Sequence, residues 1–162
     1  MKRFMMVLMV VLLVGVGGSA MAATATAGFT VTATAAKSCS ITTASDVNFA
    51  AAYDPTSATD NDSGSGAATF RCTKNTAWDA YITGARAMTG VLLDTLNFEL
   101  YTTAARNVVF PSVSGATVSG NAASKNTDIT VNYFGRIPNG QDVSAPDNYT
   151  TALGGMVFTV NY

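Results

Sequence analysis

The sequence predicts an all-β domain, a sandwich of about seven short strands, and three observations predict it. Beyond residue 22 the chain is rich in Thr, Ser, Gly, Val and Ala and poor in Glu, Lys and Leu, a composition suited to pleated, half-buried surfaces. Short segments alternate apolar and polar residues and are separated by Gly, Asn, Asp and Pro. No window of a dozen residues spaces apolar side chains three and four apart, as a long helix requires.

The chain opens Met1-Lys2-Arg3, continues with an apolar stretch from Phe4 to Val16, and reaches the small residues Gly17 to Ala22. This is the pattern of a secretory signal peptide cut after Ala22; the apolar stretch of about 13 residues falls short of the ~20 that span a bilayer. The remaining 140 residues (162 minus 22) suit one domain. In the next segment Ala25, Ala27, Phe29, Val31, Ala33 and Ala35 share one face of a strand, with Thr24, Thr26, Gly28, Thr30, Thr32 and Thr34 on the other. The pattern alone fits both an internal first strand and a strand offered to another molecule.

Further strands are expected at Ser38 to Thr42, Asp46 to Phe49, Ala67 to Thr73, Trp78 to Thr83 and Leu96 to Tyr101. Val108 to Phe110, Ile129 to Ile137 and Gly155 to Tyr162 complete the set. Residues 54–66 are expected to be a polar loop, Ser112 to Asn126 a connection, and Thr102 to Arg106 at most a helical turn. The last strand carries Met156, Phe158, Val160 and Tyr162 on one face, and the sequence stops there.

Chemistry-bearing residues are sparse. Histidine is absent, which removes the commonest general base and the commonest metal ligand. The two cysteines, Cys39 and Cys72, both lie in the exported part, where an oxidising compartment favours a disulfide. Without Lys2 and Arg3 the chain has seven basic and ten acidic residues, a net charge of −3 with no charge run, so no nucleic-acid partner is expected. Asp60-Asn61-Asp62-Ser63-Gly64 begins like a calcium loop, but Arg71 stands where a bidentate glutamate is needed. Trp78, Tyr81, Tyr133 and Tyr149 would form a sugar platform only if exposed together, and core packing is the expected job of Trp78. Asp79, Asp94, Glu99 and Asp128 are read as surface carboxylates of a sandwich rather than as a hydrolytic pair.

Several ordered pieces carry a family likeness: Phe29-Thr30-Val31-Thr32-Ala33-Thr34 leading to Ser38-Cys39-Ser40-Ile41, then Val47-Asn48-Phe49 and Thr69-Phe70-Arg71-Cys72-Thr73-Lys74. Phe98-Glu99-Leu100-Tyr101-Thr102-Thr103-Ala104-Ala105-Arg106 follows, with Tyr133-Phe134-Gly135-Arg136-Ile137-Pro138-Asn139-Gly140-Gln141 and Asn148-Tyr149-Thr150. With these pieces the chain resembles the major subunits of archaic chaperone-usher pili, the spore coat protein U domain family. It departs at Ala50-Ala51-Ala52-Tyr53, where members commonly have a glycine after the phenylalanine, and at Pro111.

The resemblance implies an incomplete immunoglobulin-like β-sandwich, completed by donor-strand exchange. A periplasmic chaperone fills the gap in transit, and at an outer-membrane usher the N-terminal strand of another copy replaces it. On that expectation residues 1–22 are the signal peptide, 23–36 the donor strand and 37–162 the pilin domain. Ala25, Ala27, Phe29, Val31 and Ala33 would be the donor residues, and Met156, Phe158, Val160 and Tyr162 would mark the acceptor edge strand. The product would be a head-to-tail homopolymer ending in a tip adhesin subunit, an extracellular fibre for adhesion and biofilm formation, with no catalytic residue, metal or cofactor. A coat protein of the same fold and a secreted carbohydrate-binding module are the alternatives.

Overall fold

The computed structural model describes residues 24–151 and 155–162, and among them it contains nine strands and no helix. The chain divides into two units, one ending at Thr34 and one beginning at Ala35. The expected signal peptide lies outside the described residues. In the first unit, residues 24–34 form no strand, and Phe29 and Val31 are 88% and 80% exposed. The unbroken alternation of residues 24–35 is therefore not realised as an internal strand.

The second unit holds β1 (Cys39–Ala44), β2 (Asn61–Cys72), β3 (Ala77–Thr83), β4 (Ala87–Thr89), β5 (Thr95–Asn97), β6 (Glu99–Tyr101), β7 (Ser119–Asn121), β8 (Ile129–Ile137) and β9 (Val157–Asn161). A four-stranded sheet runs β1-β2-β8-β6, a three-stranded sheet β7-β3-β9, and β4 and β5 form a hairpin. Every ladder is antiparallel. Alternation decides the faces: β2 buries Ala68, Phe70 and Cys72, and β8 buries Val131, Tyr133, Gly135 and Ile137. From the other sheet β3 contributes Ala80 and Ile82. Phe70 and Phe110 are fully buried, each stabilising the sandwich by roughly 1.5 to 3 kcal/mol. Among the described residues no helix is long and apolar enough to cross a membrane.

Five expectations are corrected. The polar run 61–66 is not loop but the first half of β2, because glycine there admits aromatic rings. A Cβ on Gly64 would sit 2.6 Å from the Phe49 ring, and one on Gly66 would collide with Tyr133. The expected strand Leu96 to Tyr101 divides at the buried Phe98, whose N–H donates to the Arg86 carbonyl (3.0 Å), so β5 stays in the hairpin and β6 joins β8. The Ser112 to Asn126 connection contains β7. The segments 46–49 and 108–110 make only the isolated bridges Asn48–Ser65 and Val109–Tyr101.

Cys39 and Cys72 are bonded, joining the first residue of β1 to the last residue of β2. At the opposite end of β2 arginines replace the imagined cation. Arg136 donates twice to the Asp62 carboxylate (2.7 and 2.8 Å), and Asp60 pairs with Arg136 at 3.3 Å. Arg106, 11% exposed, donates to the Gly135 carbonyl (3.0 Å) and the Asp62 carbonyl and pairs with the Asp62 carboxylate. It ends the turn at 102–106, its N–H donating to the Thr103 carbonyl.

The Cys39→Ser/Cys72→Ser variant should lose about 3 to 4 kcal/mol of unfolding free energy in a urea titration. Arg106→Ala leaves shielded carbonyls and a carboxylate without their donor and should cost about 3 kcal/mol by the same measurement. The hydrogen bonds from Arg136 hold the Asp62 carboxyl below the ordinary carboxylate range. Its stabilising effect is therefore complete at neutral pH and is lost as pH falls below about 4 toward the folded-state value. Melting curves from pH 6 to pH 2 should accordingly fall more steeply for the wild type than for Asp62→Asn.

Candidate functional site

β1 is an edge of one sheet and β9 an edge of the other; the two strands approach each other, and an open trough lies beside them between residues 44–49 and 155–158. The register of β1 on β2 assigns its inward face: Cys39 lies opposite Cys72, Ile41 opposite Phe70 and, past a bulge, Ala44 opposite Ala68, all three partners being buried. Ile41 is nevertheless 44% exposed. An isoleucine pointing toward the core with that exposure marks a missing neighbour.

Across the gap, β9 sets Phe158 opposite Ile82 and Val160 opposite Ala80, so both point inward, and both are half-buried. On its other side β9 has no ladder partner among the described residues. The result is a row of unpaired backbone groups beside a trough of mixed apolar and polar lining. The trough encloses about 430 Å³, with Val47, Phe49, Ile82, Phe98, Leu100 and Tyr133 among its lining residues. Past Phe49, Met88 and Tyr149 it continues into a second cleft of about 590 Å³ that reaches Tyr53, Leu96 and Val143.

Aromatic packing shapes the floor. The Phe158 ring lies 6.3 Å from Phe70 and 6.4 Å from Tyr133, and Phe110 meets Tyr133 edge to face. The Tyr133 hydroxyl donates to the Ser45 carbonyl, tying the floor to the segment after β1, and burial pushes its phenol pKa up. Asp46 is the sole charged residue lining the trough. A trough with apolar side chains on its floor and free backbone groups at its edge is suited to an extended peptide that turns apolar side chains inward.

Of the expected acceptor residues, the structure brings Met156 and Phe158 into this lining and turns Val160 toward the same interior, whereas Tyr162 is 54% exposed beyond the end of β9. Sequence reading missed the opposite wall, Ala44 to Val47 and Phe49, the contributions of Ile82 and Met88, and the inward-facing but exposed Ile41 of β1. Sequence reading expected a strand at Ser38 to Thr42; it did not place that strand at a sheet edge.

The other candidate groups are dispersed. Trp78 packs edge to face on Phe70 at 5.0 Å and Tyr133 is in the core, so no aromatic platform forms from them. Asp79 accepts from Asn161, Asp94 from Ser144, Glu99 pairs with Arg86 and Asp128 with Arg71. Among the described residues no three His, Cys, Asp or Glu side chains come close enough to hold a metal ion.

Comparison with curated proteins gives no match. The family model of the Spore Coat Protein U domain matches residues 25–154, a span that includes the alternating segment, both cysteines and most of the trough lining. The chain belongs to the Spore Coat Protein U domain family.

Proposed function

We propose that this chain is a structural subunit of an archaic chaperone-usher pilus, exported through the periplasm and polymerised on the cell surface by strand donation. The observation that carries the reading is the open trough between residues 44–49 and 155–158, in which Val47, Phe49, Ile82, Phe98 and Phe158 are interspersed with polar groups and whose edge strand β9 is unpaired on one side. The family is a structural one associated with such pili. The occupant is the segment 23–36 of another copy, with Ala25, Ala27, Phe29, Val31 and Ala33 entering the trough and Met156, Phe158, Val160 and Tyr162 marking the strand they pair with.

The magnitudes favour two of these residues. Phe29 and Val31 each gain roughly 1.5 to 3 kcal/mol on full burial, the alanines less, and each added backbone hydrogen bond contributes about 0.5 to 1.5 kcal/mol. Donor and acceptor are different surfaces of one subunit, so the contact is head to tail and propagates as a filament. A periplasmic chaperone would occupy the trough before assembly, an outer-membrane usher would catalyse the exchange, and a tip adhesin would cap the fibre, whose roles would be adhesion and biofilm formation. The family's description also names a coat, and a coat layer built by the same exchange is the second reading.

Two experiments test this. Mature subunits co-expressed with their chaperone should give filaments by electron microscopy and a ladder on unboiled SDS gels. Phe29→Asp and Val31→Asp should abolish both without lowering the melting temperature, since both residues are exposed; unchanged monomers in all three would sink the pilin reading, and sheets in place of filaments would favour the coat. In the second experiment Phe29→Asp subunits are mixed with Ile41→Asp subunits. One can accept and the other can donate, so heterodimers without a longer ladder are expected.

A further inference from the structure

Asn139 and Gly140 are the one place in the sequence where an asparagine is followed by a glycine. In such a pair the backbone nitrogen of the second residue can attack the side-chain amide carbon of the first, and glycine has no Cβ to obstruct the approach. The structure leaves the pair open to this reaction. Both residues are exposed, in the irregular segment that follows β8 and outside every ladder. Gly140 has a φ of 69°, a Cβ added to it would meet nothing within 4 Å, and its N–H has no partner among the described residues. The Asn139 amide is held at one end only. Its Nδ2 donates to the Ala58 carbonyl at 2.6 Å, and its Oδ1 accepts nothing among the described residues.

We propose that Asn139 is a site of spontaneous deamidation, and that its conversion unties residues 53–60 from the end of β8. The Gly140 nitrogen, having lost its proton to hydroxide, bonds to the Asn139 Cγ, and the side-chain nitrogen departs as ammonia to leave a cyclic imide. Water then adds to one of the two ring carbonyls. Opening on one side yields an aspartyl residue; opening on the other yields an isoaspartyl residue, whose main chain runs through the former side chain and is longer by a methylene. No electrons are exchanged, and hydroxide and water are the only co-reactants. The reaction is irreversible, so its product marks the age of a subunit, whether free or in the fibre proposed above.

The surroundings make the change felt. The Asn139 N–H donates to the Asp60 carboxylate at 3.0 Å, so this one residue holds both position 58 and position 60. Two residues on, the Gln141 N–H donates to the Tyr53 hydroxyl at 2.9 Å, its Oε1 accepts from the Asn97 N–H at 2.7 Å, and its Nε2 donates to the Asn97 carbonyl at 2.9 Å. A carboxylate at position 139 has no proton to give the Ala58 carbonyl, and it stands against Asp60. Arg136, paired with Asp60 and Asp62, offsets part of that repulsion, so the lost donor and the longer main chain weigh more than the charge. Lengthening the chain between β8 and Gln141 withdraws Gln141 from Tyr53 and Asn97. Tyr53 lines the second cleft, whereas residues 139–141 do not line the trough, so strand donation itself is untouched.

The full mature chain, kept folded in mildly alkaline buffer, should gain one mass unit in the peptide that contains position 139 before any other asparagine converts. Labelling by an isoaspartyl methyltransferase should appear in the same peptide. Amide hydrogen exchange at Asn97 and Gln141 should be faster in the aged chain than in the fresh one. Gly140→Ala has room for its methyl group, which crowds the attacking nitrogen, and should slow the conversion severalfold. Because position 140 is left-handed, Asn139→Gln, whose longer side chain closes a ring far more slowly, serves the same purpose if that variant does not fold. A folded chain that stays unconverted while the urea-unfolded chain converts overturns the site, since the fold then protects the pair. Equal conversion in wild type and Gly140→Ala overturns the imide route, and conversion with unchanged exchange at Asn97 and Gln141 overturns the untying.

Discussion

The antiparallel ladder of β2 with β8 runs from Asn61 opposite Ile137 to Phe70 opposite Ile129, and the positions of the other elements follow from it. It puts Phe70 and Tyr133 on one inward face, over which β3 and β9 of the second sheet close. It also pairs Gly64 with Gly135, and the Phe49 ring lies against both, 2.6 and 2.7 Å from where their Cβ atoms would stand. Any other residue in that pair would lift Phe49 and with it one wall of the trough. A stretch that reads as loose and polar thus sets the shape of the apolar site.

Strand donation requires that the domain be stable while one of its faces is open. The two sheets meet around Phe70, Leu100, Phe110 and Ile137, all buried, and Leu100 also forms part of the trough lining. The Arg106, Asp62 and Arg136 cluster ties β2, β8 and the turn after β6 together without touching the trough. Ile82, Phe98, Leu100 and Tyr133 belong to both core and trough, so the trough floor is the core itself, while Ile41 and Val157 at the edges stay exposed.

Legibility followed the physics of each element. Ile129 to Tyr133 alternates apolar and polar residues and the strand is most buried on every second residue, so β8 was readable despite Phe134 and Gly135. The cysteines were readable as a pair because they were the only two. Asn61 to Gly66 was not, since the cause of its strand is a ring from Phe49 and another from Tyr133, both distant in sequence. For the same reason β9 was legible as a half-buried strand, while its place at a sheet edge, and that of β1 across from it, belongs to topology. The hairpin tip at Val91 to Leu93 escaped the sequence reading because three aliphatic residues in a row carry no period at all.

The bond between Cys39 and Cys72 also bears on mechanics. In a filament built by strand donation, as proposed above, tension on a subunit would enter through its N-terminal segment and meet the domain at the start of β1, an edge strand held by one ladder. Pulled from that end, an antiparallel edge strand unzips one hydrogen-bonded pair at a time, under small forces. The covalent link stands at the first pair to be loaded, so tension bypasses β1 and passes directly into β2 at the centre of the sheet. Reduction would leave the fold recognisable while turning each subunit into a strand that peels.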